Sequence, residues 1–377
     1  MRHVKSDHNM KQLLRAAVIT SLSACILAQV HSEEAGPEDK QQSQWITSIT
    51  QLGSQDTFIA STANGLLMQP ASVESFTAQD PKSRTLLYTH PAAVWAVAAS
   101  PDGSLIASVD YRGNLGTYNV ANSKATVHEK VFERWCQSLI MDPSGKSVVA
   151  GNEAGKIMVW NWEEAKIASS TELDGHAVTG LAISPDQQQL AASDGSGHVH
   201  LLKWPSLESI GKMKVSDSTA WCIAFSQSGD QIFVGCADNH LYQIASQADS
   251  EPQVLMSGKD WITKLAVSSS GEIAAGEVSG GIHIISDFQS PASITKSFRG
   301  ESGTWSLHWN GQEELLVGSR KHGVARIGRS WDWIAEKTSE QEPSAGQDES
   351  SQTEPEPETE ATEADSEPNT EPETEAK

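Results

Sequence analysis

A segment of 42 residues recurs along the chain, and this periodicity constrains the fold more than any other feature. Each copy contains a tight turn such as the Ser-Pro-Asp-Gly of residues 100–103. The residues aligned with the first position of that turn are Leu52, Ser100, Asp142, Ser184, Ser226, Ser268 and Asn310. The first interval is 48 residues and each of the next five is 42. Periods of about 20 to 50 residues are typical of solenoids and propellers.

A second turn follows at a fixed offset in every copy. Thirteen residues after the first marker stand Gly65, Gly113, Gly155, Gly197, Asn239, Gly281 and Gly323. Gly and Asn are the residue types that best tolerate the left-handed backbone region. The pattern therefore predicts two tight hairpins in each of seven copies.

The segments between these turns have the pattern of β-strands. Val97 and Ala99 alternate with their neighbours before the first turn, and "LIASV" follows it. A third run follows the glycine, as in "KIMVWNW", and a fourth, more polar run completes the copy. Four antiparallel strands in each of seven copies predict an all-β fold, a seven-bladed β-propeller over residues 45–336. The segment "WDWIAE" at 331–336 is predicted to supply the outer strand of blade seven, since the N-terminal alternative at 33–44 is polar.

These motifs resemble the WD-repeat (β-transducin-like) family of propellers, and the chain is identified as a divergent exported member. The best copy is "LDGHAVTGLAISPDQQQLAASDGSGHVHLLKW" at 173–204, with Gly175-His176 as the family's Gly-His and Trp204 as its aromatic strand end. The resemblance implies a non-catalytic platform that binds protein segments on the face where the inner strands begin. No copy has the Trp-Asp dipeptide in place, and only Asp238 directly precedes a hairpin marker. The family's buried His–Asp network is therefore expected to be mostly absent.

Tryptophan is the unusual residue, with twelve in the chain. Six lie at the starts of predicted inner strands, seven or five residues before the turn marker: Trp45, Trp95, Trp135, Trp221, Trp261 and Trp305. Because both offsets are odd, all six are expected on the strand face of Val97, at one end of the central channel. Blade four has Ala177 and Thr179 instead. One interpretation is an aromatic rim that binds a protein or peptide partner; the other is a set of wedges packed between blades.

The N-terminal segment has the pattern of an export signal. Basic residues precede the uncharged stretch 16–30, which is too short to span a membrane and suits a signal-peptide core. Residues 1–32 are predicted to be a signal peptide, with a mature start near Glu33 and a linker to residue 44. Alternatively, Leu22–Cys25 forms a lipoprotein box, the signal ends at residue 24, and Cys25 carries a lipid anchor. Both alternatives predict a periplasmic or secreted domain without a transmembrane segment.

The C-terminal segment, residues 337–377, is predicted to be a disordered acidic tail. From Thr338 onward it contains fourteen Asp or Glu against one Lys, a net charge of −13, and no large apolar residue. Such a segment cannot offset its ordering entropy by burial. The net charge of the whole chain, −22, argues against nucleic-acid binding.

No linear motif for catalysis or phosphate binding is present, so the chain is predicted not to be an enzyme and to carry no cofactor or metal. Two alternatives stay open: a periplasmic hydrolase or lactonase with a metal in the channel, and a carbohydrate-binding propeller. His198 and His200 alternate on one predicted strand, which alone is a weak metal signal.

Three cysteines follow the signal segment. Because this number is odd, they cannot form a complete disulfide framework. Cys136 is expected to be a small buried thiol, because its position is apolar in the other copies. Cys222 and Cys236 are expected to lie nearly opposite each other in one hairpin. A disulfide between them is an open alternative.

Overall fold

The computed structural model describes residues 44–328, with the exception of 55, 66, 287, 289–293, 301 and 312–313. The described residues form 27 β-strands and no α-helix, so none of them belongs to a helix that could span a bilayer. The predicted signal segment 1–32, the closing segment 331–336 and the acidic tail 337–377 lie outside the described residues.

The first four blades each contain four strands. Blade 1 consists of β1 (Trp45–Gln51), β2 (Phe58–Ala63), β3 (Ala71–Thr77) and β4 (Asp80–His90). Blade 2 consists of β5 (Val94–Ala99), β6 (Leu105–Asp110), β7 (Leu115–Asn119) and β8 (Lys124–His128). Blade 3 consists of β9 (Cys136–Met141), β10 (Ser147–Asn152), β11 (Lys156–Asn161) and β12 (Lys166–Glu172). Blade 4 consists of β13 (Val178–Ile183), β14 (Gln189–Asp194), β15 (His198–Lys203) and β16 (Ser209–Lys214).

The last three blades continue the pattern. Blade 5 consists of β17 (Ala220–Phe225), β18 (Gln231–Cys236), β19 (His240–Ala245) and β20 (Gln253–Ser257). Blade 6 consists of β21 (Ile262–Val267), β22 (Ile273–Glu277), β23 (Gly281–Ile285) and β24 (Ile294–Arg299). Blade 7 consists of β25 (Thr304–Asn310), β26 (Glu314–Ser319) and β27 (Val324–Gly328). The fourth strand predicted for blade 7 falls outside the described residues.

The blades form a closed ring. Each blade is an antiparallel meander, and its first strand lies innermost. The seven inner strands contact one another in cyclic order, and β25 contacts β1. This arrangement confirms the predicted all-β seven-bladed propeller.

Apolar contacts between neighbouring blades form the core. Among the described residues, seven buried apolar clusters lie one at each blade interface, and an eighth, smaller cluster contains Trp45. Between blades 1 and 2, for example, Ile59 packs with Val97 and Ile106. The second strands are almost wholly buried, whereas outer strands such as β8 are largely exposed. Burial of this apolar area is the main favourable term in folding.

The predicted left-handed hairpin positions are correct in six blades. Gly113 has φ +78° and Asn239 has φ +71°, for example. In blade 6 the predicted Gly281 is wrong, because Gly280 has the positive φ of +95° and Gly281 lies inside β23. The turn between β21 and β22 is one residue shorter than its counterpart in blade 2. The following hairpin glycine therefore stands one residue earlier in the chain than predicted.

Every inner strand contains a β-bulge at the same place. The extra, unpaired residue stands five positions before the turn marker: Thr47, Trp95, Gln137, Thr179, Trp221, Thr263 and Trp305. A bulge increases local twist and redirects the side chain that it contains. Seven equivalent bulges therefore reshape one end of the channel.

The bulge corrects the prediction that the tryptophans lie on the strand face of Val97, whose counterpart in blade 1 is Ile49. Ile46 and Ile49 pair with Thr62 and Ala60, so these two isoleucines share a face although they are three residues apart. Trp45 pairs with Ala63 and lies on the opposite face. Simple period-two alternation fails because the bulged residue adds one position to the strand.

The three described cysteines are free, buried thiols. The expectation for Cys136 is thereby confirmed. Cys222 pairs with Gly235 and Cys236 pairs with Ala220, because the bulge at Trp221 shifts the register. The two cysteines are not opposite each other, and no disulfide joins them. Burial raises the pKa of the Cys222 thiol to about 12.

His308 should make the fold sensitive to mild acid. It lies in β25 with its ring edge-on to Phe58 of blade 1, at 5.7 Å between centroids, and desolvation lowers its pKa to about 4. The unfolded chain, with a His pKa of about 6.5, then binds more protons between these values, so stability falls as pH falls from about 6.5 to about 4. We expect His308→Gln to reduce the slope of unfolding free energy against pH, by at most about 3 kcal/mol over that window.

Urea unfolding followed by circular dichroism at several pH values measures this slope. His176→Gln is the matched control, because His176 is exposed. Equal slopes for His308→Gln and the unchanged protein would contradict the assignment.

Candidate functional site

The six tryptophans form three pairs, each across a blade interface. In each pair, one tryptophan occupies the bulge position of its blade. The other stands two residues before the bulge position of the next blade. Trp305 stacks on Trp45, with centroids 5.6 Å apart and planes at 23°. The other two pairs are Trp95 with Trp135 at 5.3 Å and 55°, and Trp221 with Trp261 at 6.0 Å and 22°. The pairs thus bridge blades 7 and 1, blades 2 and 3, and blades 5 and 6.

Two of the three pairs are joined into a larger group. Trp95 and Trp305 lie 5.8 Å apart at 54°, which connects blades 7, 1, 2 and 3. We call Trp45, Trp95, Trp135 and Trp305 the four-tryptophan cluster, and Trp221 with Trp261 the blade-5/6 pair. Together they form the tryptophan face, at the channel end where the inner strands begin.

Pairing explains why blade 4 has no tryptophan at the start of its inner strand. Each pair uses two neighbouring blades, so three pairs use six blades and leave one unpaired in a ring of seven. In blade 4 the bulge residue is Thr179, which hydrogen-bonds Ser193 Oγ at 3.0 Å and the carbonyl of Ala220. Thr47 makes the same contact to the carbonyl of Val94, at 2.6 Å. In blades 1 and 4 the bulge threonine therefore ties its blade to the next one by a hydrogen bond, whereas the hydroxyl of Thr263 in blade 6 has no partner among the described residues.

A third side chain covers two of the pairs. In blade 7, the guanidinium carbon of Arg320 lies 4.8 Å from the ring centroid of Trp45. In blade 2, the ring of Tyr111 lies 5.1 Å from that of Trp135. Both covering residues directly follow the second strand of their blade, β26 or β6. Cation–π and tilted aromatic contacts of this kind are favourable.

The tryptophans differ in exposure. Trp45 and Trp95 are buried, at 4% and 7% relative exposure, whereas the other four are partly exposed. Five buried indole nitrogens have no hydrogen-bond partner among the described residues: those of Trp95, Trp135, Trp221 and Trp305 on this face, and that of Trp162 after β11. A buried polar group left unpaired costs about 1–3 kcal/mol. All three bulge tryptophans are in this set.

A buried network holds the hairpin that carries Tyr111. His90 of β4 bonds Asp110 at 3.2 Å and Ser108 at 2.7 Å. Asp110 also accepts hydrogen bonds from the backbone N–H groups of Arg112 at 2.8 Å and Asn114 at 3.0 Å. Burial alone would raise the pKa of Asp110, but the hydrogen bonds from His90 and Asn114 outweigh it and lower the pKa.

Among the described residues, hydrogen-bonded His–carboxylate pairs of this kind occur in three of the seven blades. The carboxylate stands three residues before the hairpin glycine, not directly before it. Blades 4 and 6 contain comparable pairs, His200 with Asp194 at 2.8 Å and His283 with Glu277 at 3.0 Å. The predicted family histidine, His176, is exposed and has no part in these pairs.

The structure gives His198 and His200 a local role. Both lie near Asp194, which accepts a hydrogen bond from the His198 backbone N–H at 3.0 Å. Within the described ranges, no three His, Cys, Asp or Glu side chains are arranged so that they could hold a metal ion.

The chain matches a family model described as WD40: WD domain, G-beta repeat, at residues 81–115, 168–201 and 208–243. Each matched segment runs from the outer strand of one blade into the third strand of the next. The sequence repeat is therefore staggered against the structural blade.

Three curated proteins show the level of similarity to individual relatives. Telomerase protein component 1 of Mus musculus is 24% identical over 198 residues, 49% of this chain and 7% of that protein. The small ribosomal subunit protein RACK1 of Caenorhabditis elegans is 24% identical over 159 residues, 39% of this chain and 48% of that protein. Transcription factor unc-37 of the same organism is 23% identical over 219 residues, 53% of this chain and 35% of that protein. The match to this chain thus spans less than half the length of each of these relatives.

The stacking pattern predicts which tryptophans are energetically coupled. We expect Trp45→Leu and Trp305→Leu to show a coupling energy of about 1 kcal/mol in a double-mutant cycle, because their rings stack. Trp45→Leu and Trp221→Leu should add within about 0.5 kcal/mol, because they belong to separate groups. Chemical denaturation of the single and double variants measures both cycles. Equal coupling in the two cycles would argue against the pairing.

Proposed function

Because this chain belongs to the WD-repeat family of seven-bladed β-propellers, we propose that it is an exported, non-catalytic scaffold. Its tryptophan face binds a protein or peptide partner. Propellers of this family commonly serve as protein-interaction scaffolds, so the fold agrees with this function. Fold alone does not fix function, and the proposal therefore depends on the chemistry of the face.

The observation that carries the proposal is the gathering of six tryptophans in cross-blade pairs at one channel end, with four of them partly exposed. Tryptophan supplies a large rigid contact area together with an N–H donor, and it is enriched at interaction hot spots. Four of these tryptophans stand in inner strands, and Trp135 and Trp261 directly precede theirs, so little order has to be created when a partner binds.

The unpaired indole N–H groups support binding over packing alone. Leucine or phenylalanine would fill volume between blades without burying a polar atom. Instead, four indole nitrogens of the tryptophan face are buried without a partner, out of five such nitrogens among the described residues. Residues that reduce stability in this way are typical of sites where function limits the choice of side chain.

Substitution of partly exposed rings on this face should strongly reduce partner capture. We expect Trp221→Ala with Trp261→Ala to reduce recovery of a partner at least about tenfold, the effect of losing one hot spot of about 1.4 kcal/mol or more. The measurement is affinity capture from the envelope fraction, followed by mass spectrometry.

Trp162→Ala is the matched control for this experiment. Trp162 is partly exposed and directly follows β11, at the opposite end of the blade from the inner-strand starts. Its loss should leave capture unchanged. Capture that survives the double variant, with circular dichroism showing a folded protein, would contradict the proposal.

Export is the second part of the proposal, and the N-terminal sequence supports it. We expect the mature protein to begin near Glu33 when it is purified from the cells that export it. Intact-mass and N-terminal sequencing measurements test this expectation. Protein that retains residues 1–32 would contradict export, and a mature start at Cys25 with a lipid mass increment would favour the lipoprotein alternative.

A further inference from the structure

The three tryptophan pairs are equivalent in backbone position but not in their covering layer. The residues that end the second strands pair in the same register with the inner strands: Asp110 with Val94, Ser319 with Thr304 and Cys236 with Ala220. The next residues along the chain are therefore equivalent, and they are Tyr111, Arg320 and Ala237. The first two cover a tryptophan of the following blade.

In the blade-5/6 pair, the covering position is occupied by a methyl group only. Trp221 stacks on one side of Trp261. On the side where the other pairs have a guanidinium or a phenol, Ala237 offers a single carbon beyond its backbone. Trp261 is partly exposed, so its ring is accessible to an external group.

Two carboxylates are next to this position in the sequence. Asp260 directly precedes Trp261, and Asp238 directly follows Ala237. The two loops are joined by a hydrogen bond from the Gly258 backbone N–H to the Asn239 carbonyl, at 2.7 Å. No Lys or Arg among the described residues forms an ion pair with either carboxylate, and the nearest cation in sequence is the exposed Lys259.

Asp238 keeps its negative charge at neutral pH. Burial would raise its pKa, but hydrogen bonds from Ser216 at 2.5 Å and Tyr242 at 2.7 Å outweigh burial and lower the pKa. Both donors are uncharged. The other carboxylate oxygen accepts a hydrogen bond from the His240 backbone N–H at 3.1 Å and lies 3.4 Å from the His240 ring nitrogen Nδ1. An arriving cation therefore meets a pre-oriented negative group.

We propose that Trp261 is the docking point for an arginine side chain of the bound partner, which completes the missing third layer as Arg320 does on Trp45. The planar guanidinium stacks on the indole and donates hydrogen bonds to a flanking carboxylate. Because the neighbouring carboxylates attract a cation, we expect the partner to place an arginine on Trp261 and not an aromatic ring such as that of Tyr111. This inference rests on the proposed function, since it names the chemistry of the partner segment that the tryptophan face binds.

A short peptide tests the site directly. The probe is acetyl-Gly-Gly-Arg-Gly-Gly-amide, and its citrulline analogue has the same planar shape without the charge. Indole N–H resonances of ¹⁵N-labelled protein, assigned with Trp261→Phe, report binding. We expect the Trp261 signal to shift and saturate at millimolar peptide, the affinity that a single anchoring side chain provides. The signals of Trp45 and Trp135 should stay in place, because their faces are already covered.

Variants separate stacking from general attraction. Ala237→Arg should occupy the site from within and abolish the response, whereas Ala237→Ser should leave it intact. Asp260→Asn should raise the dissociation constant about threefold, as expected for one exposed ion pair. The citrulline peptide should bind at least about fivefold more weakly than the arginine peptide.

Three results would overturn the inference. They are an unshifted Trp261 signal, equal binding of the citrulline peptide, and an unchanged response in Ala237→Arg. The citrulline comparison needs no substitution, so it stands even if Ala237→Arg does not fold. If the peptide fails to bind while capture still depends on Trp221 and Trp261, the docking chemistry is wrong and the scaffold function stands. If the peptide binds while capture is unaffected, the arginine site stands and the scaffold function is wrong.

Discussion

The bulge in each inner strand is the constraint on which the functional face depends. It inserts one residue five positions before the turn, and it recurs in all seven blades. Without it, the residues at the channel end would follow the alternation of the strand. With it, the side chain at the bulge reaches the next blade. Thr47 and Thr179 use this reach for a hydrogen bond, and the three bulge tryptophans use it to meet a second ring.

The fold could be predicted from the sequence because its signals are local and repeated. The turn residues and the strand alternation each recur at a fixed spacing, so they specify blade number and strand order. The error at Gly281 arose because one shortened turn breaks that spacing. The cysteine and tryptophan orientations failed for another reason. A bulge leaves no mark in the pattern of apolar residues, so alternation across it is misjudged.

The site could be located but not resolved from the sequence. The six tryptophans were predicted at one channel end, yet their pairing depends on contacts between residues of different blades. The covering residues Tyr111 and Arg320 were missed because they are different residue types, although they occupy equivalent backbone positions in their blades. The register of each second strand was the signal that could have found them. Likewise, the carboxylate of Asp110 escaped notice because it stands three residues before the hairpin glycine.

An odd number of blades combined with pairwise contacts has a geometric consequence. A ring of seven identical blades would offer a bound segment seven equivalent rotational settings. Pairing removes that degeneracy, because blade 4 is left out and the remaining pairs differ in what covers them. The four-tryptophan cluster and the blade-5/6 pair lie on either side of that gap. The blades around this face are therefore all distinguishable. An asymmetric molecule that binds across the face has a single rotational setting in which its contacts match.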